Sequence, residues 1–372
     1  MNNACRLPIA VAGALMPDAH VGYGLPIGGV LATDQAVIPY AVGKDIACRM
    51  RLSILDLPLY SLENDKDFLI DVLKKEARFG TDTFKPTREH AIMDAPLWNE
   101  LPLLREVKDK ARQQLGTSGS GNHFIEFGVL NVYSDTLDVE QGNYVALLSH
   151  SGSRGMGEHI ANHYSQLARR LQPQLSEELA HLAWLNMNSE PGIEYWNAME
   201  LMGSYAAAHH ELIHTHISQR LEASILATVE NHHNFAWKEQ LDGREVIVHR
   251  KGATPAGAGV MGVIPGSMAT AGYVVVGKGN PESLFSASHG AGRRMSRAEA
   301  AKRFTWEQTE KILKKSKTLL ISGGLDEAPM AYKDIEEVMT AQADLVDSVA
   351  RFNPRIVRMA PSKKGPKEAR RK

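Results

Sequence analysis

Apolar residues in the N-terminal third come in short runs broken by glycine. Leu7 to Met16 (LPIAVAGALM), Ala36 to Val42 (AVIPYAV) and Arg49 to Leu55 (RMRLSIL) each have the length of a single buried strand, and Gly22, Gly24, Gly28 and Gly29 mark turns between the first two. From Ser61 to about Leu115 the pattern turns polar and helical. Asn143 to His150 (NYVALLSH) predicts a buried strand ending in the turn Ser-Gly-Ser-Arg-Gly. Glu158 to Ile225 is rich in Ala, Leu, Glu, Gln and His and nearly free of glycine, so long helices are expected there. Glu245 to Val248 reads as a strand. Gly252 to Gly292 is glycine-dense and β-rich, with the run Tyr273 to Val276, and Ile335 to Val349 has apolar residues at helical spacing. No repeat and no Pro/Ser-rich linker divides the chain. The expectation is one α+β domain over residues 1–360, with a helical insertion at about 158–230 and a basic tail at 361–372.

Composition narrows the classes. The chain has 372 residues, 43% hydrophobic and 23% charged, with a formal net charge of -1. A nucleic-acid partner would therefore meet a local positive patch rather than a globally basic protein. Cys5 and Cys48 are the only cysteines, which excludes a disulfide framework and fits a reducing, cytoplasmic compartment. No stretch approaches the ~18 apolar residues of a membrane span. Leu7 to Met16 follows Arg6 and loosely resembles a signal-peptide core. Its single arginine, and its direct run into Pro17-Asp18-Ala19-His20, favour the strand. The tail holds Lys363, Lys364, Lys367, Arg370, Arg371 and Lys372 against Glu368. It reads as a solubilising tail, with a phosphate-binding arm as the functional alternative.

Fifteen histidines invite metal chemistry. His159 and His163, and His210 and His214, are four apart on expected helices, a spacing that places two imidazoles on one face. In a polar helical stretch also containing His209 and His216, both pairs read as solvated helix surface. The other histidines stand at strand ends among glycines and small polar residues: His123 in GTSGSGNHFIEF, His150 in LLSHSGSRG, His233 in NHHNF and His289 in SASHGAGRR. Asp45 and Cys48, in GKDIACRM, add a carboxylate and a thiol. Singly, each is more often a core residue than a ligand. Together they favour a metal site of mixed oxygen, nitrogen and sulfur donors, equally suited to zinc.

The blocks MPDAHVGYG (16–24), AVGKDIACRM (41–50), GTSGSGNHFIEF (116–127), HSGSRG (150–155), HHN (232–234), RKGATPA (250–256), PGSM (265–268), GKGNPES (277–283), SHGAGR (288–293) and DEAPMAYKDI (326–335) occur in that order. In this order they resemble the RtcB family of RNA ligases from about Met16 to Arg351. The resemblance implies a domain of mixed sheets around a two-metal site. Asp45, Cys48, His123, His150 and His233 match the ligands of two Mn²⁺ ions. His289 matches the histidine that attacks the α-phosphate of GTP and becomes histidine-GMP. Asn122 and Asn234 match residues near the guanylate, and Glu126, Ser267 and Tyr332 match nucleotide contacts. Arg154 and Arg293 stand where the family keeps arginines near phosphates, Arg154 on the RNA side and Arg293 on the nucleotide side. Gly290 and Gly292 flank the nucleophile, where they would leave room for phosphate.

The implied reaction opens an RNA 2′,3′-cyclic phosphate to a 3′-phosphate, activates it with GMP and joins it to a 5′-hydroxyl end. Broken-ended RNA and GTP are the implied partners, for a monomer or small homo-oligomer, with a helper protein left open. The chain starts close to MPDAH, where typical members have tens of residues before it, so it is either a short form or incomplete. The family's terminal Val-Lys-Gly is replaced by RIVRMAPSKKG, which would pass the guanine contact to Arg358, Lys363 or Lys364. Its length suggests RNA repair rather than tRNA splicing. The alternative reading is a metal-dependent RNA end-processing phosphodiesterase or phosphatase with no nucleotide intermediate.

Overall fold

The computed structural model describes residues 1–361. The longer strands, in chain order, are β1 (Ala10–His20), β2 (Ile27–Thr33), β3 (Arg49–Leu55), β4 (Phe124–Val132), β5 (Gly142–Ser151), β6 (Ile225–His232), β7 (Asn234–Leu241), β8 (Arg244–Lys251), β9 (Ala253–Pro255), β10 (Met261–Ile264), β11 (Gly272–Gly277), β12 (Ser286–Ser288), β13 (Leu319–Ser322) and β14 (Val346–Met359). The main helices are α1 (Lys66–Glu76), α2 (Pro102–Gln114), α3 (Arg154–Leu171), α4 (Glu190–Arg220), α5 (Arg297–Arg303), α6 (Trp306–Lys315) and α7 (Ile335–Ala341).

Seven strands form the path β10-β11-β14-β4-β5-β3-β6, all antiparallel, with β13 parallel to β14. Alternation along these strands divides the sheet into two faces. One face buries Met50, Leu52, Leu130, Leu148, Val229, Val263, Val274 and Phe352 against one another, so the sheet curls around its own core. Its two edges meet at Asn231 on β6. The Asn231 side-chain oxygen accepts from the Val263 backbone on β10 at 2.9 Å, and its amide donates to Thr254 Oγ1 at 2.7 Å. The other face buries Ile125, Phe127, Val145 and Leu147 against Ile213 and Ile217 of α4 and against α1. Each such apolar side chain contributes roughly 1.5–3 kcal/mol on burial. A second antiparallel sheet, β1-β2-β8-β7, lies alongside.

Several expected elements shift. The run Leu7 to Met16 enters β1 at Ala10, and β1 continues to His20, but as an edge strand its residues are mostly half-buried. Ala36 to Val42 splits into a two-residue strand and the turn of helix Pro39–Val42, because Pro39 favours a helix start. The helical block expected at 158–230 runs from Arg154 to Arg220, and β6 takes the rest. The helix expected over 335–349 ends at Ala341. Val346 and Val349 open β14, where pairing on both sides overrides local spacing. β14 also carries Pro354, at a register shift opposite Gly128, where a side chain would come within 2.4 Å of the Asn353 carbonyl. Proline is tolerated in a central strand only at such a bulge. The basic tail, with Lys363 and Lys364, lies outside the described residues.

Candidate active site

Four neighbouring strands deliver the metal-type residues to one end of the large sheet. Cys48 immediately precedes β3, His123 precedes β4, His150 is near the end of β5 and His233 follows β6. The register pairs Phe124 and Met50 with His150, and Arg49 with His232, so the four side chains meet at one level. The His233 backbone N–H donates to the Cys48 carbonyl at 2.9 Å, which closes that level.

The donor atoms are close. Cys48 Sγ lies 3.1 Å from His150 Nε2 and 3.3 Å from His123 Nε2. His150 Nε2 lies 3.3 Å from His233 Nε2, and Asp45 Oδ2 lies 3.0 Å from His123 Nε2. Tetrahedral ligands at ~2.0 Å from an ion stand roughly 3.3 Å apart, so the spacing suits a shared cation. Burial pushes the Cys48 thiol well up, and Asp45 adds to it. Burial likewise holds His150 and His233 well below the ordinary imidazole range, as neutral rings. Burial also opposes ionisation of Asp45, but His123 outweighs it and holds the carboxyl down. Cys48 is buried and Asp45 partly buried, so a cation between them would offset the cost of ionising the thiol beside the carboxylate. His123 Nδ1 and His233 Nδ1 are also buried without a hydrogen-bond partner. Soft and hard donors and neutral imidazoles at this spacing together fit a divalent metal centre. Gly152 has no substitute here, since a Cβ would sit 2.1 Å from the Asp45 carboxylate.

A cleft of about 840 Å³, mouth included, opens beside the cluster. His150, His233 and His289 line its floor, and Asn122, Glu126, Ser267, Arg293 and Tyr332 line its walls. The His233 and His289 rings lie 4.9 Å apart, centre to centre. His289 is oriented from behind. Its ring Nδ1 donates to Asp18 Oδ2 at 2.6 Å and its backbone N–H to the same oxygen at 3.1 Å. Burial pushes up both the Glu126 carboxyl and the Tyr332 phenol. Arg293 is anchored at 2.8 Å to Glu327, which also accepts from the Tyr332 hydroxyl. A large, mostly preformed cleft with a few convergent polar groups is the usual form of a small-molecule site.

A family model described as "tRNA-splicing ligase RtcB" matches residues 1–360. The RNA-splicing ligase RtcB of Escherichia coli K12 is 34% identical, over 93% of this chain and 90% of its own. The chain belongs to the RtcB family. The RNA-splicing ligase RtcB of Mycobacterium tuberculosis H37Rv is 32% identical over 95% of this chain and 98% of its own. The tRNA-splicing ligase RtcB of Nanoarchaeum equitans is 31% identical over 95% and 89%. Among the described residues of this RtcB domain, no helix is long and apolar enough to cross a membrane.

Two residues of the RtcB reading do not line the cleft. Asn234 does not line the cleft. Its amide donates to the Asp45 carbonyl at 3.2 Å and its oxygen accepts from the Gly252 N–H at 2.8 Å, bracing the metal loop. Arg154 also lies outside the cleft lining, donating to the Gly80 carbonyl and to Thr117 Oγ1. Arg358 is directed away from the cleft. Its neighbours Val357 and Met359 line the cleft, while its guanidinium donates to the Leu73 and Ala77 carbonyls at the end of α1. Gly292 lines the cleft beside Gly290. It adopts φ +72°, and a Cβ there would lie 2.1 Å from the Asp18 carbonyl.

The histidine pairs divide. His159 is partly exposed and His163 exposed, as expected for a surface pair. His210 and His214 are fully buried, together with His209, because α4 lies against the large sheet rather than on the surface. Sequence reasoning also missed Asp18, Lys333, Glu327 and Arg297. Lys333 Nζ donates to the Pro17 and Ala19 carbonyls at 3.0 and 2.7 Å and so grips both neighbours of Asp18. Asp18 had a signal: it is the only acid in MPDAHVGYG, the block into which the first apolar run leads.

Proposed function

We propose that this protein is a GTP- and Mn²⁺-dependent ligase that joins an RNA 2′,3′-cyclic phosphate or 3′-phosphate end to a 5′-hydroxyl end through a histidine-GMP intermediate. One observation carries the reading: His289 lines the cleft beside the metal-type cluster with Nδ1 committed to Asp18. Its other nitrogen, Nε2, keeps the lone pair that a nucleophile needs. His289 Nε2 attacks the α-phosphorus of GTP, the N–P bond forms and pyrophosphate leaves. Asp18 accepts the Nδ1–H bond and offsets the positive charge that builds on the ring. An oxygen of the RNA 3′-phosphate then attacks the same phosphorus, and His289 departs with its lone pair restored. The 5′-hydroxyl attacks the activated 3′-phosphate, loses its proton and expels GMP.

Divalent cations held by Asp45, Cys48, His123, His150 and His233 would neutralise phosphate charge and fix the in-line geometry. Manganese as the ion follows the family resemblance, because the donor set would also take zinc. Asn122, Glu126, Ser267 and Tyr332 are the nucleotide contacts in this reading, with Arg293 on the phosphates through its rigid fork. The substrate is broken RNA in a reducing, cytoplasmic setting.

The test incubates the protein with Mn²⁺ and GTP labelled at the α-phosphate and follows label on the denatured chain. Acid-labile, alkali-stable label that disappears in His289→Ala is the expected result. No label, from protein that binds metal and opens cyclic phosphates, would replace this reading with the end-processing hydrolase.

A further inference from the structure

Behind the strand that carries His150 runs a buried chain of hydrogen bonds that neither the cleft nor the metal cluster uses. Thr228 Oγ1 lies 3.2 Å from Ser53 Oγ, which lies 2.8 Å from His214 Nδ1. His214 Nε2 lies 2.7 Å from Ser149 Oγ, which lies 2.6 Å from His210 Nδ1. His210 Nε2 ends the chain 3.2 Å from the Ser151 carbonyl oxygen. Ser53, Ser149, Ser151, His210 and His214 are all fully buried, and only Thr228 reaches solvent.

The proton positions follow from the carbonyl end. A carbonyl only accepts, so His210 carries its proton on Nε2. A neutral ring has one N–H, so His210 Nδ1 accepts from the Ser149 hydroxyl. Ser149 has then used its proton and receives one from His214 Nε2–H. His214 Nδ1 accepts from Ser53, and Ser53 accepts from Thr228. Each member from Ser53 to His210 donates once and accepts once, all in one direction. Burial holds both imidazoles well below their ordinary range, in the neutral form that this count requires.

We propose that His210 and His214 are positioning residues for His150, because their ordered chain clamps Ser149 and Ser151 on either side of it. Side chains alternate along β5, so Ser149 and Ser151 face α4 while His150 faces Cys48. The remaining freedom of His150 is taken up by its carbonyl, which accepts from Ser118 Oγ at 3.2 Å, and by ring Nδ1, which donates to the Asn122 carbonyl at 3.3 Å. Outer partners of this kind tune ligands because donor geometry must hold within ~0.5 Å. The proposal rests on the reading of His150 as a metal ligand.

Two measurements on the full chain test it. Nitrogen-15 spectra of histidine-labelled protein should show His210 and His214 as neutral Nε2–H tautomers. Co²⁺ titration, followed by calorimetry and by thiolate and ligand-field absorption, should show about tenfold weaker binding in Ser53→Ala and Ser149→Ala. A proton on Nδ1 of either ring would overturn the ordered chain, whatever the variants do. Wild-type Co²⁺ affinity and spectra in both variants would overturn the positioning role. Wild-type protein that shows the tautomers but binds no Co²⁺ would overturn the metal reading of His150 and, separately from the chain itself, remove what the chain is said to position.

Discussion

Asp18 and His289 are 271 positions apart in sequence, yet one carboxylate oxygen of Asp18 accepts both the backbone and the ring N–H of His289. Asp18 has no solvent exposure, and His289 opens on the cleft. A carboxylate only accepts, so the ring proton is held on Nδ1 and the lone pair on Nε2. Asp18→Asn replaces this acceptor with an amide that can also donate and favour the wrong tautomer. Its expected effect is a loss of guanylylation rate on the order of 100-fold. Single-turnover transfer of label from GTP measures it, and a wild-type rate would remove Asp18 from the mechanism.

Lys333 acts one step further out. Its ammonium fixes the carbonyls of Pro17 and Ala19, on either side of Asp18. Lys333→Met keeps most of the apolar stem and removes the donors. A fall in guanylylation of about tenfold, with metal content unchanged by mass spectrometry, is expected. Equal loss of metal and guanylylation would mean that Lys333 supports the domain as a whole.

Cys48 is the sulfur donor of the cluster, within 3.3 Å of two imidazole nitrogens. Cys48→Ala should weaken binding of a divalent cation by at least about 100-fold, with far-ultraviolet circular dichroism unchanged. Calorimetric titration reads the first and spectroscopy the second. Unchanged affinity would exclude Cys48 as a ligand.

His249 sets a pH dependence remote from the chemistry. Burial holds its imidazole at about 4, against 6.5 in an unfolded chain. The Ile38 N–H donates to its Nε2 at 2.9 Å, and its Nδ1 donates to the Leu31 carbonyl at 3.2 Å, so both nitrogens are satisfied only in the neutral ring. As pH falls below 6.5 the unfolded chain gains a proton that the folded chain refuses. The stabilisation is therefore complete above that value and declines toward pH 4, by about 3 kcal/mol for this one group. Urea unfolding of wild type and His249→Gln across that window should show a shallower decline in the variant. Parallel curves would show that His249 does not titrate this way.

The amino-acid sequence by itself determined the single α+β chain, the strands at Arg49 to Leu55 and Asn143 to His150, and which donors were chemically unusual. Those features are local: period-two alternation, glycine beside polar donors, and the order of the family's blocks can be read along a line. Tertiary structure decided the rest. Val346 to Met359 becomes a central strand only because partners on both sides satisfy its backbone and a bulge accommodates Pro354. His210 looks like His159 along the chain, yet one is buried under a sheet and the other borders solvent. Arg358 faces away from the cleft because strand alternation gives that side to Val357 and Met359. Asp18 acquires its role only when β1 and the end of β12 come together and bring it against His289. Burial and partner choice depend on contacts between residues far apart in sequence, and no local pattern encodes which of several similar side chains will receive them.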